Sequence, residues 1–255
     1  MSTSLNLTEQ YLMELHLKGV RESLSLRVKE SLDSDLSYED FLNLILFDEA
    51  QYRRNLRRQR LVKSAGFRSH ASFEGIDYDK TRNFDKKLIQ ELSNMRFLDE
   101  GLNIMIYGAT GVGKTYLATA IGNHLCRNGK TTIFVKMNLL FEKIAMARAQ
   151  GTYLNYLKKI RAADLLIVDD FGLKPLSEQQ FQDFYDVLDE RDNGKSTIIT
   201  TQLPSENWDE VIKDPLVCEA ISDRLTSKAI KILVKGPSKR KDGLKELTVI
   251  DSSGN

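Results

Sequence analysis

The 255-residue chain is 41% hydrophobic and 29% charged, enough to bury a full core and to hold one large domain beside a smaller one. No apolar run approaches the roughly 18 to 20 residues that span a bilayer, and the start, Met1-Ser2-Thr3-Ser4, lacks a charged region followed by a signal-like core, so a cytoplasmic protein with no membrane partner is expected. Two cysteines, Cys126 and Cys218, with the scattered His16, His70 and His124, argue against a disulfide framework or a zinc cluster.

Residues 1 to about 68 read as a small helical domain, and 69–255 as a second one. Thr8 is a candidate cap before Leu12, Leu15 and Leu17; Gly19 reads as a break, and a further segment runs through Leu24 and Val28. Ser37 with Asp40 three residues on resembles a capping box. It opens a longer helix striped by Phe41, Leu44, Ile45, Tyr52 and Leu56. The formal net charge of +1 hides an asymmetry here. Arg53, Arg54, Arg57, Arg58, Arg60, Lys63 and Arg68 follow one another without an acid, a run suited to nucleic-acid phosphates. A solvated helix face, an acidic partner or stabilisation of the helix dipole accounts for the same residues.

After a mixed connector, the apolar strand 103–107 runs into Gly108-Ala109-Thr110-Gly111-Val112-Gly113-Lys114-Thr115. Gly108 and Gly113 permit backbone conformations that turn successive N–H groups inward as an anion nest, and the helix starting near Lys114 adds its positive end. Lys114 then reaches the β/γ-phosphates of a triphosphate, and the Thr115 hydroxyl is placed to ligate Mg2+. Residues 108–115 together with Tyr116 are the expected ATP cradle. Leu117, Ala118, Ile121 and Leu125 recur at helical spacing behind it.

Asp169 lies 55 residues after Lys114, at the end of the apolar run Leu165-Leu166-Ile167-Val168. A buried parallel strand presents its carboxyl end to the ligand, so Asp169 is the expected magnesium partner and Asp170 the base that orients the attacking water. Further strands are expected at 131–136, 196–201 and 229–234, alternating with helices as in a parallel α/β sheet. The connection between 136 and 165 is longer than a minimal crossover. It reads as two helices, the second carrying Lys158, Lys159 and Arg161 beside Tyr153 and Tyr156, a mixture suited to DNA backbone contact or to an ordinary amphipathic surface.

Together these motifs resemble the AAA+ ATPases of the IstB type, helper proteins of insertion-sequence transposition, and more distantly the DnaC-type helicase loaders. Landmarks include the leader 15–24, the arginine-rich helix, the phosphate loop, 165–172, Thr200-Thr201-Gln202-Leu203-Pro204 with Trp208, and Asp214-Pro215 followed by Ala220-Ile221-Ser222-Asp223-Arg224-Leu225. The resemblance implies an AAA+ P-loop fold with a five-stranded parallel sheet. It implies that Thr201 or Gln202 senses the γ-phosphate, that Arg224 is an arginine finger offered to a neighbouring subunit, and that Arg240 is a second sensor. It also implies DNA contact by the crossover helices from Arg148 to Arg161. Asp170 stands where most relatives outside this branch carry Glu; the shorter side chain implies slow hydrolysis, as suits a timer.

On this reading, ATP-bound subunits form a homo-oligomer on duplex DNA, remodel it and recruit or stimulate a transposase, and hydrolysis releases the assembly. The alternative within the same architecture is a helicase loader. A small-molecule phosphotransferase would require an acceptor motif that the chain lacks, and a purely structural clamp would bind ATP without hydrolysing it.

Overall fold

The computed structural model describes residues 2–76, 86–191 and 194–238. The chain divides into two units, Met1–Arg60 and Leu61–Asn255, with the division near the end of a long helix. No helix among the described residues is long and apolar enough to cross a membrane.

The first unit consists of α1 (Ser2–Glu14), α2 (Lys18–Ser34) and most of α3 (Tyr38–Ser64). Thr8 lies inside α1 and does not cap it. The chain breaks at His16, whose φ of 55° is left-handed, and not at Gly19, which belongs to the first turn of α2. Gly19 has a packing role. A Cβ there would stand 2.6 Å from Tyr52 Cβ and 2.8 Å from Glu49 Cα, so α2 and α3 cross where only a hydrogen fits. Glu49 Oε2 accepts from the N–H groups of Gly19 and Val20 at 2.7 and 3.2 Å, capping α2 from α3. The start of α3 is as expected from sequence: Ser37 Oγ accepts from the Asp40 N–H at 3.1 Å and donates to Asp40 Oδ2 at 2.6 Å.

In the second unit, α4 (Lys86–Ser93) and α5 (Arg96–Asp99) precede β1 (Asn103–Tyr107). Next come α6 (Lys114–Arg127), β2 (Thr132–Lys136), α7 (Met137–Ala149) and α8 (Tyr153–Ala162). The chain continues with β3 (Leu165–Phe171), α9 (Glu178–Asp189), β4 (Ser196–Thr201), α10 (Pro215–Thr226) and β5 (Ala229–Leu233). All five strands are parallel in the order β2-β3-β4-β1-β5, so the expected strands and the pair of crossover helices are present. Alternation along each strand sorts side chains to two faces. Ile104, Ile106, Leu165, Ile167 and Ile198 pack with Leu117, Ile121 and Leu125 of α6. Met105, Leu166, Val168 and Ile199 pack with α7 through α10, including Leu140, Phe184 and Ile221. Burial on both faces explains why β3 reads as a continuous apolar run.

The segment following α3 is fastened to this unit. Ala65 accepts from the Phe134 N–H at 2.7 Å on the outer edge of β2, and Asn123 Nδ2 donates to the Ala71 carbonyl at 2.8 Å. Trp208 is fully buried, sets its ring centroid 4.6 Å from that of Phe171 in a tilted contact and donates from Nε1 to the Leu203 carbonyl at 3.4 Å. It ties the chain after β4 to the end of β3. Asp214 caps α10 by accepting from the Leu216 and Val217 N–H groups, with Pro215 in the first turn.

Candidate nucleotide site

The phosphate loop leaves the carboxyl end of β1 and enters α6. Gly108, Gly111 and Gly113 all have positive φ. At Gly108 the requirement is strict, because a Cβ would meet the Val234 carbonyl oxygen at 2.2 Å. Gly113 is left-handed at 109° and has open space where a Cβ would stand, so its backbone conformation and not a contact calls for glycine there. Val112 is buried and anchors the loop in the core, whereas Ala109 and Thr110 are exposed at its tip. Lys114 Nζ lies across the loop and donates to the carbonyls of Gly108 and Ala109, both at 2.8 Å. The Tyr116 hydroxyl contacts the Ser72 carbonyl at 3.4 Å, behind the cradle.

β4 lies between β1 and β3, and the crossover of α6 brings Thr115 to the end of β3. Thr115 Oγ1 donates to Asp169 Oδ1 at 2.8 Å, and Thr200 Oγ1 donates to the same oxygen at 2.6 Å. Asp169 is fully buried, and its Oδ2 has no hydrogen-bond partner among the described residues. A buried, unsatisfied carboxylate oxygen beside a hydroxyl is a donor set that suits a hard divalent cation, and Mg2+ needs only one or two protein oxygens when phosphates supply the rest. The residues present therefore fit both a triphosphate and its magnesium ion.

Asp170 owes its position to a bulge. The pairing of β3 with β4 shifts between Val168 and Phe171, and Asp170 takes a left-handed φ of 63°. One extra residue aims Asp170 away from Asp169. Its N–H donates to Thr200 Oγ1 at 3.1 Å, and its Oδ2 accepts from Lys136 Nζ at 2.5 Å. Neither Thr200 nor Lys136 stands out as a site residue in the sequence. Thr200 precedes the expected sensor by one position, and only strand register shows that it, and not Thr201, meets the Asp169 carboxylate. Thr201 Oγ1 instead accepts from the Leu203 N–H at 3.1 Å, and Gln202 is exposed.

The sequence profile of the family described as IstB-like ATP binding protein matches residues 10–246. The chain belongs to this family. The protein named as an insertion sequence ATP-binding protein, y4pL, of Sinorhizobium fredii is 34% identical over 226 residues, covering 89% of this chain and 92% of that one. The crystal structure of DnaI superposes with a TM-score of 0.55 at 24% identity, over 67% of this chain and 91% of that one. That of the DnaC helicase loader gives 0.50 at 23%, over 62% and 95%. These two structures share the AAA+ P-loop fold with the sheet unit.

The remaining expected residues of this IstB-like chain are spread over several faces. Arg224, in the last turn of α10, is held by α9: its Nη2 donates to the Tyr185 hydroxyl at 2.6 Å and to Asp189 Oδ1 at 2.9 Å, and the guanidinium lies 4.3 Å from the Tyr185 ring centroid. Its ion-pair partner is Asp189 and not the adjacent Asp223. The Arg224 carbonyl accepts from Asn103 at the start of β1, the end opposite the phosphate loop. Arg240 lies outside the described residues.

Of the expected DNA contacts, Arg148 is tied into its own unit. It pairs with Asp183 at 2.6 Å and stacks 3.8 Å over the Tyr153 ring, and the Asp183 hydrogen bond raises its pKa. Burial pushes the Tyr156 hydroxyl up to about 12, so it stays protonated. Arg161 pairs loosely with Glu190 at 3.5 Å, while Lys158 and Lys159 are exposed. On α3, Arg53 pairs with Glu49 at 2.6 Å and Arg54 donates to the Ala50 carbonyl. Arg58 reaches Asn55 at 3.4 Å, and Arg57 is exposed with no ion pair among the described residues. Arg191, which sequence reading passes over, is buried and donates to the carbonyls of Ile160, Ala163 and Ser196. Burial pulls its pKa down to about 10, still cationic, and it clamps the amino ends of β3 and β4.

Proposed function

We propose that this protein is an ATP-hydrolysing, DNA-binding regulator of transposition, whose ATP-bound subunits assemble on duplex DNA and recruit or stimulate a transposase. The observation that carries the reading is the buried Asp169 with its unsatisfied Oδ2, beside Thr115 and next to a glycine loop crossed by Lys114. Family membership and the insertion-sequence context in the relatives' names support the transposition setting.

ATP binds with its phosphates in the nest of residues 108–113. Lys114 then exchanges the carbonyls of Gly108 and Ala109 for phosphate oxygens, which its three donors match as a point charge. Thr115 and Asp169 would hold a Mg2+ ion, which would supply charge neutralisation to the bound phosphates. Asp170 orients the attacking water, and Thr200 ties the Asp169 carboxylate to the Asp170 backbone N–H.

The position of Arg224 supports completion of the site in trans. Its backbone bonds to the start of β1, while the phosphate loop follows the end of that strand, so it stands away from its own loop, which supports a role at a neighbour's γ-phosphate. A mixing experiment tests this. Arg224→Ala and Lys114→Ala proteins, each inactive alone, should recover ATP hydrolysis when combined on duplex DNA, because an intact loop then faces an intact arginine. No recovery, or full turnover by Arg224→Ala alone, overturns the trans site. A companion pull-down with the transposase and with a replicative helicase distinguishes the transposition helper from a loader.

A further inference from the structure

The last turn of α9 holds Asp186 and Asp189 and no basic residue, and Glu190 follows as its C-cap. Carboxylates at the negative end of a helix dipole are locally unfavourable, so their charge has to be balanced from other elements. Asp186 accepts from the Tyr153 hydroxyl of α8 at 2.7 Å and Glu190 pairs with Arg161 at 3.5 Å, whereas Asp189 pairs with Arg224 of α10 at 2.9 Å. One turn before Asp189 stands Tyr185, packed against the apolar cluster of α7 through α10. Its hydroxyl accepts from Arg224 Nη2 at 2.6 Å, and its ring centroid lies 4.3 Å from the guanidinium carbon. The main chain of Arg224 is fixed as well. Its carbonyl accepts from Asn103 Nδ2 at 2.9 Å, and Asn103 Oδ1 accepts from the Thr197 N–H of β4 at 2.9 Å. The arginine is thus held at both ends, by the sheet through its backbone and by α9 through its guanidinium. The Asp189 side chain is 58% exposed and that of Arg224 22%. A pair this open contributes little stability, yet it holds the guanidinium without sealing it from a neighbour.

We propose that Tyr185 and Asp189 form a seat that presets Arg224 for the γ-phosphate of the neighbouring subunit, which makes them positioning residues of the shared ATP site. The inference rests on the reading of Arg224 as a residue that acts in trans. A solvated arginine samples many rotamers, and fixing it only as the transition state forms costs orientation entropy that a preset side chain has already lost. Two acceptors at one nitrogen, with a ring beside the guanidinium, define both the direction and the rotation of the fork. A single exposed carboxylate would leave it free to turn. The seat stands with Arg224 by the start of β1, away from its own phosphate loop, so it serves the neighbour's site. No covalent bond is made or broken at either residue.

The test extends the mixing experiment with full-length proteins. An arginine donor carries Lys114→Ala, a loop donor carries Arg224→Ala, and phosphate release on duplex DNA is read from the mixture. Tyr185→Leu/Asp189→Ala placed in the arginine donor should lower the recovered rate by roughly tenfold or more, because rates fall steeply with small misplacements of a reacting group. The same pair placed in the loop donor should change it by less than about twofold, since position 224 there is already alanine and leaves nothing to position. Tyr185→Phe in the arginine donor keeps the ring and Asp189 and should retain most of the rate. Circular dichroism of both donors, and binding of a fluorescent ATP analogue by the loop donor, confirm folding. Equal losses in either donor would overturn the seat in favour of a structural role, and no loss in the arginine donor would overturn it outright. A gain there would overturn it too, by showing that α9 restrains the arginine instead of aiming it. Absence of recovery in the mixture of the two parent donors removes the trans reading itself, a result seen before any change at 185 or 189 is made.

Discussion

In Leu61–Asn255, Ile104, Ile106, Leu117, Leu166, Ile167 and Ile198 have no solvent exposure, and two apolar clusters fill the space on either side of the sheet. In Met1–Arg60, Val20 is the single buried apolar side chain among those described, while Leu32 and Tyr38 are 80% and 95% exposed and Leu26, Leu42, Leu46 and Phe47 each more than half. The sheet unit carries its own core. The helical unit is held largely by polar contacts, namely the Arg27–Asp48 pair at 2.8 Å and Glu49 capping α2, and it displays apolar residues that a lone soluble domain would hide. The nucleotide loop therefore sits on a scaffold buried on both faces, and the exposed apolar side chains sit on a helical unit with little buried apolar surface of its own.

The sharpest way to break this contrast is to make equivalent deletions in both units. Phe184→Ala, in the fully buried cluster below β3, should cost about 3–5 kcal/mol in chemical denaturation. Leu46→Ala, more than half exposed on α3, should stay within about 0.5 kcal/mol. A large loss at Leu46 would mean that the helical unit is already covered in solution, for example by another copy.

A smaller effect is expected where the helical unit is tightly packed. Gly19→Ala pushes a methyl against the α3 backbone and displaces the Glu49 cap, at a cost of about 1–3 kcal/mol. Hydrogen exchange should accelerate across α1–α3 and leave β1, β3 and β4 unchanged. Acceleration in the strands would show that the two units unfold together.

Arg57 and Arg58 probe the outward role of α3. If this helix meets DNA, the double alanine variant should lower the slope of log affinity against log salt by roughly 2 and weaken binding alike on unrelated sequences. An unchanged slope assigns the arginines to a protein partner. The smallest effect concerns pH. The Arg27 hydrogen bond holds the Asp48 carboxyl down at about 2, against an ordinary value of 3.8. A depressed acid contributes its stability above the unfolded value and loses it as pH falls through the folded one, so this contribution disappears between about pH 4 and pH 2. Acid titration of helix content, compared with Asp48→Asn, should show a small loss in that window, discounted by solvent screening of the pair.

Much of the sheet unit was legible because its signals are local. The five strands, the two crossover helices and the phosphate loop follow from apolar runs, periodicity and a contiguous motif. The helical unit was less legible. Gly19 reads as a breaker by propensity, yet tertiary packing overrides that preference and places it inside α2 at a helix crossing. Arg53 reads as a DNA contact from the charge of its run and Arg148 from the resemblance, but Arg53 pairs with Glu49 one helical turn away and Arg148 with Asp183, which only the tertiary fold brings near.

Sequence by itself determined the fold class, the nucleotide loop and the pair of acids at the end of β3, because each is encoded in neighbouring residues whose backbone geometry is short-range. Tertiary structure alone decided that Thr200 bonds both acids' residues, that a one-residue bulge turns Asp170 towards Lys136, and that Arg224 stands at the far end of β1 from its own loop. Those outcomes depend on the register and order of strands distant in the chain. In a period-two element a shift of one residue reverses the face of every side chain, so no local pattern can specify them.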